Sequence, residues 1–305
     1  MTRIRRPASS MQPASKGLPR VGFIGAGRTG AALAWHCNRL GYRISGISDR
    51  VPKQAWVVYG LLKRPYERLR PSDVAAASDV LFITTPDDSI GRALAGVRRW
   101  LAPRTIVAHC SGTLGSDVLR GAAERDLDIL ALHPVQTFPS HAQAINRLPG
   151  SFFAIEGSRR GVAFGKRLVR ALHGRSIVVR GADRPLYHAM CVFSSNLLLA
   201  VLDGAELLAA ELGISRTRAA RVLSPLTQGS VDAARELGAS AALTGPVARG
   251  DAMTVRAHVA VLAERAPELI PVYRALTLRL IDMARRDGLS ARAARRLRSA
   301  LESGR

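Results

Sequence analysis

Two sets of residues in this chain have types and spacing suited to chemistry. The first is Gly25-Ala26-Gly27-Arg28-Thr29-Gly30, a G-x-G-x-x-G run. It follows a short apolar stretch, Val21 to Ile24, and precedes a helical pattern, Ala31 to Leu40, with Gly41 at the C-cap position. Gly25 permits the tight turn out of the strand. Gly27 lets a pyrophosphate approach the backbone, and Gly30 lets the helix pack close to the strand. The helix then offers free N–H groups and the positive end of its dipole to an anion. This context predicts a dinucleotide-binding turn.

The second strand of such a fold reads the adenosine ribose at its end, here Ser48-Asp49-Arg50. A carboxylate accepts hydrogen bonds from the 2′-OH, whereas Arg or Ser favours a 2′-phosphate. Asp49 therefore argues for NAD, while Ser48, Arg50 and the positive field argue for NADP. The plain alternative for each is a solvated turn residue, and the choice stays open, with NADP placed first.

The second set is His109, His133 and His188. Hydride transfer to a C=O or C=N bond needs a held nicotinamide, an oriented acceptor and a delivered proton, and imidazole titrates in the right range for the last task. His188 and Asn196 share a face at helical spacing. His188 is the candidate proton donor and Asn196 the candidate orienter of substrate. The competing reading of His188 is a packing or capping residue. His109-Cys110-Ser111-Gly112 could touch nicotinamide or substrate, or could simply be a turn that needs Gly112. Cys110 reads as an inert thiol rather than a nucleophile. His133, Gln136 and Thr137 are candidate substrate contacts, with a structural turn at His133-Pro134 as the alternative. Arg249 is a candidate anchor for an anionic substrate, or a solvated arginine. No H-x-x-x-H or Cys pair supports a metal, and none is expected.

The elements that must position these residues alternate. Expected strands cover Val21–Ile24, Arg43–Ile47, Asp79–Thr84, Thr105–Ala108, Asp128–Leu132, Phe152–Ile155 and Ser176–Val179, with helices or long loops between them. That alternation predicts an α/β fold, a doubly wound parallel Rossmann-type sheet. Ligands bind beyond the carboxyl ends of such strands. Gly25–Gly30, Asp49, the Thr85-Pro86-Asp87 turn, the Ser111 turn and the His133 turn all fall there. The first three and Ser111 are expected to contact the cofactor. From Asp183 onward only helices are expected, the first of them a single long helix from Asp183 to Leu212. The expected domains are a disordered basic tail over 1–19, a Rossmann-like domain over 20–181, an all-helical C-terminal domain over 182–288 and a basic helical tail over 289–305. The substrate would lie between the two large domains, and the long apolar helix would supply a homodimer surface.

The chain has 305 residues and a net charge of +22. Its basic residues are spread out, and aromatics make up 5% of the chain, so no stacking surface for nucleic acid is visible. The charge instead favours anionic small molecules. Cys37, Cys110 and Cys191 suggest no disulfide framework, which points to the cytoplasm. The most apolar stretch, Ala189 to Ala210, carries Ser194, Ser195, Asn196, Asp203 and Glu206, so a soluble helix is expected rather than a membrane span.

Several motifs carry a resemblance: the glycine run, Pro86-Asp87-Asp88, His109-Cys110-Ser111-Gly112 and His133-Pro134-Val135-Gln136-Thr137-Phe138. They continue with Tyr187-His188, Ser195-Asn196, and Ala242-Leu243-Thr244-Gly245-Pro246-Val247-Ala248-Arg249-Gly250-Asp251. Together they resemble the bacterial family that pairs a Rossmann-like domain with domain of unknown function 2520, within the superfamily of 6-phosphogluconate dehydrogenase and pyrroline-5-carboxylate reductase. The resemblance spans residue 21 to about residue 280. It implies an NAD(P)-dependent oxidoreductase and brings no substrate with it. Related dehydrogenases turn a polar pair on the equivalent helix toward the nicotinamide, which implies the same for His188 and Asn196. The family ends its second strand in Ser-Arg, an NADP-like signal, whereas here Asp49 intervenes. The competing reading is a nucleotide-binding sensor without turnover. A hydrolase built on Ser111 and His109 ranks below both, because neighbours on a turn seldom hold nucleophile and base in reach.

Overall fold

The computed structural model describes residues 17–302. The expected N-terminal tail therefore lies, over residues 1–16, outside the described residues. Seven strands form one sheet: β1 Val21–Ile24, β2 Ile44–Ser48, β3 Val80–Ile83, β4 Ile106–His109, β5 Asp128–Pro134, β6 Phe152–Gly157 and β7 Arg175–Val178. Their order is β2-β1-β3-β4-β5-β6-β7. The chain leaves β1 in one direction to make β2 and in the other to make β3, so the topological switch point lies between β1 and β3. Their carboxyl ends are Ile24 and Ile83.

The central strands are apolar throughout because both faces of the sheet are covered. Residues alternate between the faces. Val21, Phe23, Val80 and Phe82 join one core cluster, and Ile24, Leu81 and Ile83 join the other. Phe23 and Phe82 stack with ring centroids 5.4 Å apart.

The sheet departs from the expected parallel pattern at one place. β6 runs antiparallel to β5, pairing His133 with Ala154 and Pro134 with Phe153. Two consequences follow. His133 and Pro134 belong to the end of β5 rather than to a turn after it. Pro134 is tolerated because β4 pairs only as far as Ala131, leaving one side of the strand free. The connection from β5 to β6 also stays at the carboxyl edge of the sheet, and within it residues His141–Arg147 form a helix that the sequence pattern did not predict.

A second unpredicted helix, Pro71–Ala76, lies against β1 and β2. It explains two glycines inside strands. A Cβ on Gly22 would lie 2.1 Å from Ser78 Oγ and 2.7 Å from Val74 Cγ1, and one on Gly46 would lie 2.5 Å from Leu69 Cδ1.

Residues up to Ser195 form one compact unit and residues from Asn196 form a second. The expected boundary near Gly181 is thus displaced, because the helix Arg184–Phe193 packs on the first unit through Arg184 and Tyr187, both buried. The single long helix expected from Asp183 is two helices, Arg184–Phe193 and Asn196–Glu211. Between them the hydroxyls of Ser194 and Ser195 donate to the carbonyls of Met190 and Cys191. The stretch Gly181–Glu211 is long and apolar enough, by length and composition, to cross a membrane. Arg184, at its start, is fully buried within the first unit.

The second unit is helical, with a core of Val247, Val255, Val259, Ile281, Leu297 and Leu301. The expected basic tail is part of that core. The helix Ala291–Glu302 buries Ala294, Leu297, Ala300 and Leu301 and turns its arginines outward. Leu199, Val222, Leu226 and Leu237 of this unit are exposed large apolar side chains.

Candidate active site

The glycine-rich turn joins β1 to the helix Arg28–Arg39. Its three glycines serve different purposes. Gly25 has φ +100°, and a Cβ there would lie 2.5 Å from the Thr84 carbonyl carbon. Gly30 would drive a Cβ to 2.4 Å from Thr84 Oγ1 and 2.6 Å from the Gly25 carbonyl oxygen. Both are demanded by the fold. Gly27 is not: its backbone is extended at φ −67° and ψ −178°, and a Cβ there meets nothing within 4 Å. The helix it begins has no side-chain cap and no acidic residue in its first turn. Its leading N–H groups thus face open space at the switch point, the arrangement that receives a phosphate.

That space belongs to a cleft of about 1430 Å³. Of the expected cofactor residues, Gly25, Gly27, Arg28, Ser48, Asp49, Arg50, Thr85 and Pro86 line it. Arg68, Gln54 and the Pro139–His141 segment line it too, and none of these was a sequence candidate. Thr84 donates from Oγ1 to the Gly25 carbonyl at 2.6 Å, tying the ends of β1 and β3 together across the switch point.

Asp49 is engaged within the protein. Its Oδ2 accepts from the Ala26 N–H at 2.7 Å and its Oδ1 from the Val51 N–H at 2.8 Å. Ala26 is thereby a brace of the loop. Ser48 is buried, and its hydroxyl donates to the Leu69 carbonyl at 2.9 Å. Arg50 and Arg68 are exposed on the cleft, with no ion pair among the described residues.

Beyond the ends of β4 and β5 lies a second group. His109 is fully buried, and both ring nitrogens are occupied: Nδ1 accepts from the Ser111 N–H at 3.2 Å, so Nε2–H donates to the Gly115 carbonyl at 3.0 Å. Burial holds it neutral, pushing its pKa down to about 4. His109 is therefore a strut for the 111–115 turn, which corrects the expectation of a catalytic role. Ser111 donates to Asp87 Oδ2 at 2.6 Å and accepts from the N–H groups of Thr113 and Leu114. Asp87 and Ser111 thus bind each other, and neither lines the cleft. Thr29 and Gly30 also lie outside its lining.

His133 and His188 stand on either side of Gly112. A Cβ on Gly112 would lie 2.9 Å from His133 Nε2 and 2.7 Å from His188 Cδ2, so glycine is required for the two rings to approach it. Their centroids are 6.4 Å apart, edge to face. His133 Nδ1 is 2.6 Å from the Tyr187 hydroxyl, and His188 Nδ1 is 2.9 Å from Thr113 Oγ1. Burial, and then repulsion from Arg184 and the other two histidines, pushes His133 down to about 4. Arg184 is fully buried; it donates to the Ser111 carbonyl at 3.2 Å, and its Nε lies 4.0 Å from Glu156 Oε2. It was not a sequence candidate, and its one signal was an arginine at the start of an otherwise apolar helix. Cys110 is pushed up to about 12 by burial and is an inert thiol.

Four candidates remain. Gln136 accepts from the Thr137 N–H, and Thr137 accepts from Arg147, so both are tied locally. Asn196 and Arg249 belong to the second unit. There Arg249 is exposed just before Asp251, whose carboxylate caps the helix Ala252–Arg265 through Thr254. Among the described residues no group of His, Cys, Asp and Glu is arranged to hold a metal ion.

Residues 5–134 match a Rossmann-like domain, and residues 151–280 match the domain of unknown function DUF2520. A search of curated proteins finds no match. Among solved structures the chain is similar to a Bacteroides fragilis protein provisionally designated an NADP oxidoreductase. The TM-score is 0.72 at 22% identity, covering 87% of this chain and 98% of that one. It is also similar to a Thermotoga maritima protein, with TM-score 0.66 at 20% identity over 88% of this chain and 99% of that one. A reductive aminase from Aspergillus terreus, solved with NADPH and ethyl levulinate, gives 0.62 at 16% identity over 94% and 100%. At these identities the likeness is one of fold.

Proposed function

This chain belongs to the family that joins a Rossmann-like domain to DUF2520, and from that membership we propose that it is an NADP-dependent oxidoreductase acting on a small carbonyl or imine compound. The observation that carries the reading is Gly27. The fold does not need a glycine there, yet the position is bare, at an uncapped helix N-terminus, at the switch point and in the cleft. A side chain would fill the space a diphosphate takes.

When bound, the dinucleotide supplies a hydride donor or acceptor. The chain's own residues do the rest. The N–H groups that open the helix Arg28–Arg39 hold the diphosphate. Arg50 and Arg68 hold a 2′-phosphate, because Asp49 is turned inward to the Ala26 and Val51 amides. This favours NADP over NAD. The reductive aminase of the same fold holds NADPH, which supports a dinucleotide in the cleft.

His188 is the proposed proton donor. Its ring is partly exposed, and Thr113 orients it through Nδ1, leaving Nε2 to face substrate. Asn196 and Arg249 are the proposed orienter and anion anchor carried by the second unit, and Gln136 and Thr137 are secondary polar contacts. The proposed state is a homodimer, supported by the exposed Leu199, Val222, Leu226 and Leu237. The experiment is titration of NADPH, NADP⁺, NADH and NAD⁺ into the protein, followed by a screen of oxo acids and cyclic imines for loss of reduced nicotinamide.

A further inference from the structure

We propose that His133 is a hydrogen-bond donor of fixed tautomer, and that the group it receives is the oxygen of a neutral or anionic carbonyl compound rather than the nitrogen of an iminium ion. The inference rests on the oxidoreductase reading and narrows its substrate class.

The Tyr187 hydroxyl lies 2.6 Å from His133 Nδ1. A phenol O–H is a stronger donor than an imidazole N–H, and an imidazole nitrogen is a stronger acceptor than a phenol oxygen. The bond therefore runs from Tyr187 to Nδ1. The Tyr187 hydroxyl keeps its proton, because burial raises its pKa. Cys191, one helical turn on, is a second acceptor for the phenol proton, but sulfur is a weaker acceptor than an imidazole nitrogen. With Nδ1 accepting, the ring proton of His133 sits on Nε2.

Nε2–H has no hydrogen-bond partner among the described residues. It lies beside Gly112, 2.9 Å from where a Cβ on that residue would stand, with His188 Cδ2 next to it. The surroundings disfavour a cation there. The Arg184 guanidinium is fully buried, with its Cζ 6.0 Å from the Tyr187 ring centroid. Of the carboxylates nearby, Asp117 is exposed to solvent and two others are engaged within the protein. Asp87 accepts from Ser111, and Glu156 accepts from the Ser116 N–H and lies by Arg184 Nε. An N–H donor with a buried cation behind it suits an oxygen acceptor. A neutral imidazole polarises such an oxygen by donation, with its proton remaining on Nε2.

The test is ¹H–¹⁵N correlation of the histidine rings in the full-length ¹⁵N-labelled protein. First, the protein without ligand should show His133 as the Nε2–H tautomer, and Tyr187→Phe should convert it to a mixture. This reading does not depend on cofactor binding, so it stands apart from failure of the oxidoreductase reading. Second, in protein saturated with NADP⁺, pyruvate should shift the His133 Nε2 resonance and 1-pyrrolinium should not. An Nδ1–H tautomer in the unsubstituted protein overturns the proposal. So does a Tyr187→Phe protein with an unchanged tautomer. A resonance moved by 1-pyrrolinium but not by pyruvate, or moved by neither, overturns the substrate assignment.

Discussion

The Asp49 carboxylate accepts the Ala26 N–H at 2.7 Å, so the residue expected to read the ribose instead braces the glycine-rich loop. Asp49→Ala should weaken NADPH and NADH to a similar degree, because the loop loses its brace whichever dinucleotide binds. Selective loss of NADH in parallel titrations would restore Asp49 as the ribose reader.

Arg50→Ala should weaken NADPH by about tenfold to a hundredfold, the scale of one charge-assisted hydrogen bond. NADH affinity should stay within about twofold by the same reasoning. Equal loss of both would place the 2′-phosphate away from Arg50.

Once a substrate is found, His188→Gln should lower kcat by roughly 10²–10⁴-fold, the usual worth of a positioned acid or base. Unchanged turnover would remove the proton-donor assignment and leave His188 a packing residue on Thr113.

Stability should fall on acidification. Burial lowers the pKa of His109 and His133 to about 4 in the folded chain from the ordinary imidazole value of 6.5, so the unfolded chain binds more protons between those limits. Their contribution is complete above pH 6.5 and is lost as pH drops toward 4. For buried His109 it is on the order of 3 kcal/mol. Thermal unfolding should therefore show Tm falling across that window, and His109→Asn should flatten the slope while lowering Tm at pH 7. A slope unchanged by His109→Asn would contradict the strut role.

Much of this was legible in the sequence. β1, its glycines and the β–α alternation came from apolar runs and turn residues, which are local signals. The antiparallel β6 was not legible, because its apolar run reads the same in either direction. The helix Pro71–Ala76 was hidden in a polar context, although Gly22 and Gly46 inside strands already hinted at a close neighbour. His109 illustrates the limit for sites. A histidine at a strand end looks catalytic until the Gly115 carbonyl and the Ser111 amide are seen to occupy both nitrogens. The partners of Asp49 and Arg184 are likewise set by tertiary contacts that spacing does not encode.

In the proposed function the bare Gly27 position receives the diphosphate of NADP. Its most direct test is calorimetric titration of NADPH into the unsubstituted protein and into Gly27→Val. Binding to the first and none to the second is expected, with the two melting at similar temperatures, since a Cβ at Gly27 meets nothing within 4 Å in the fold. Equal affinity in both proteins, or no binding of any dinucleotide to the unsubstituted chain, would contradict it.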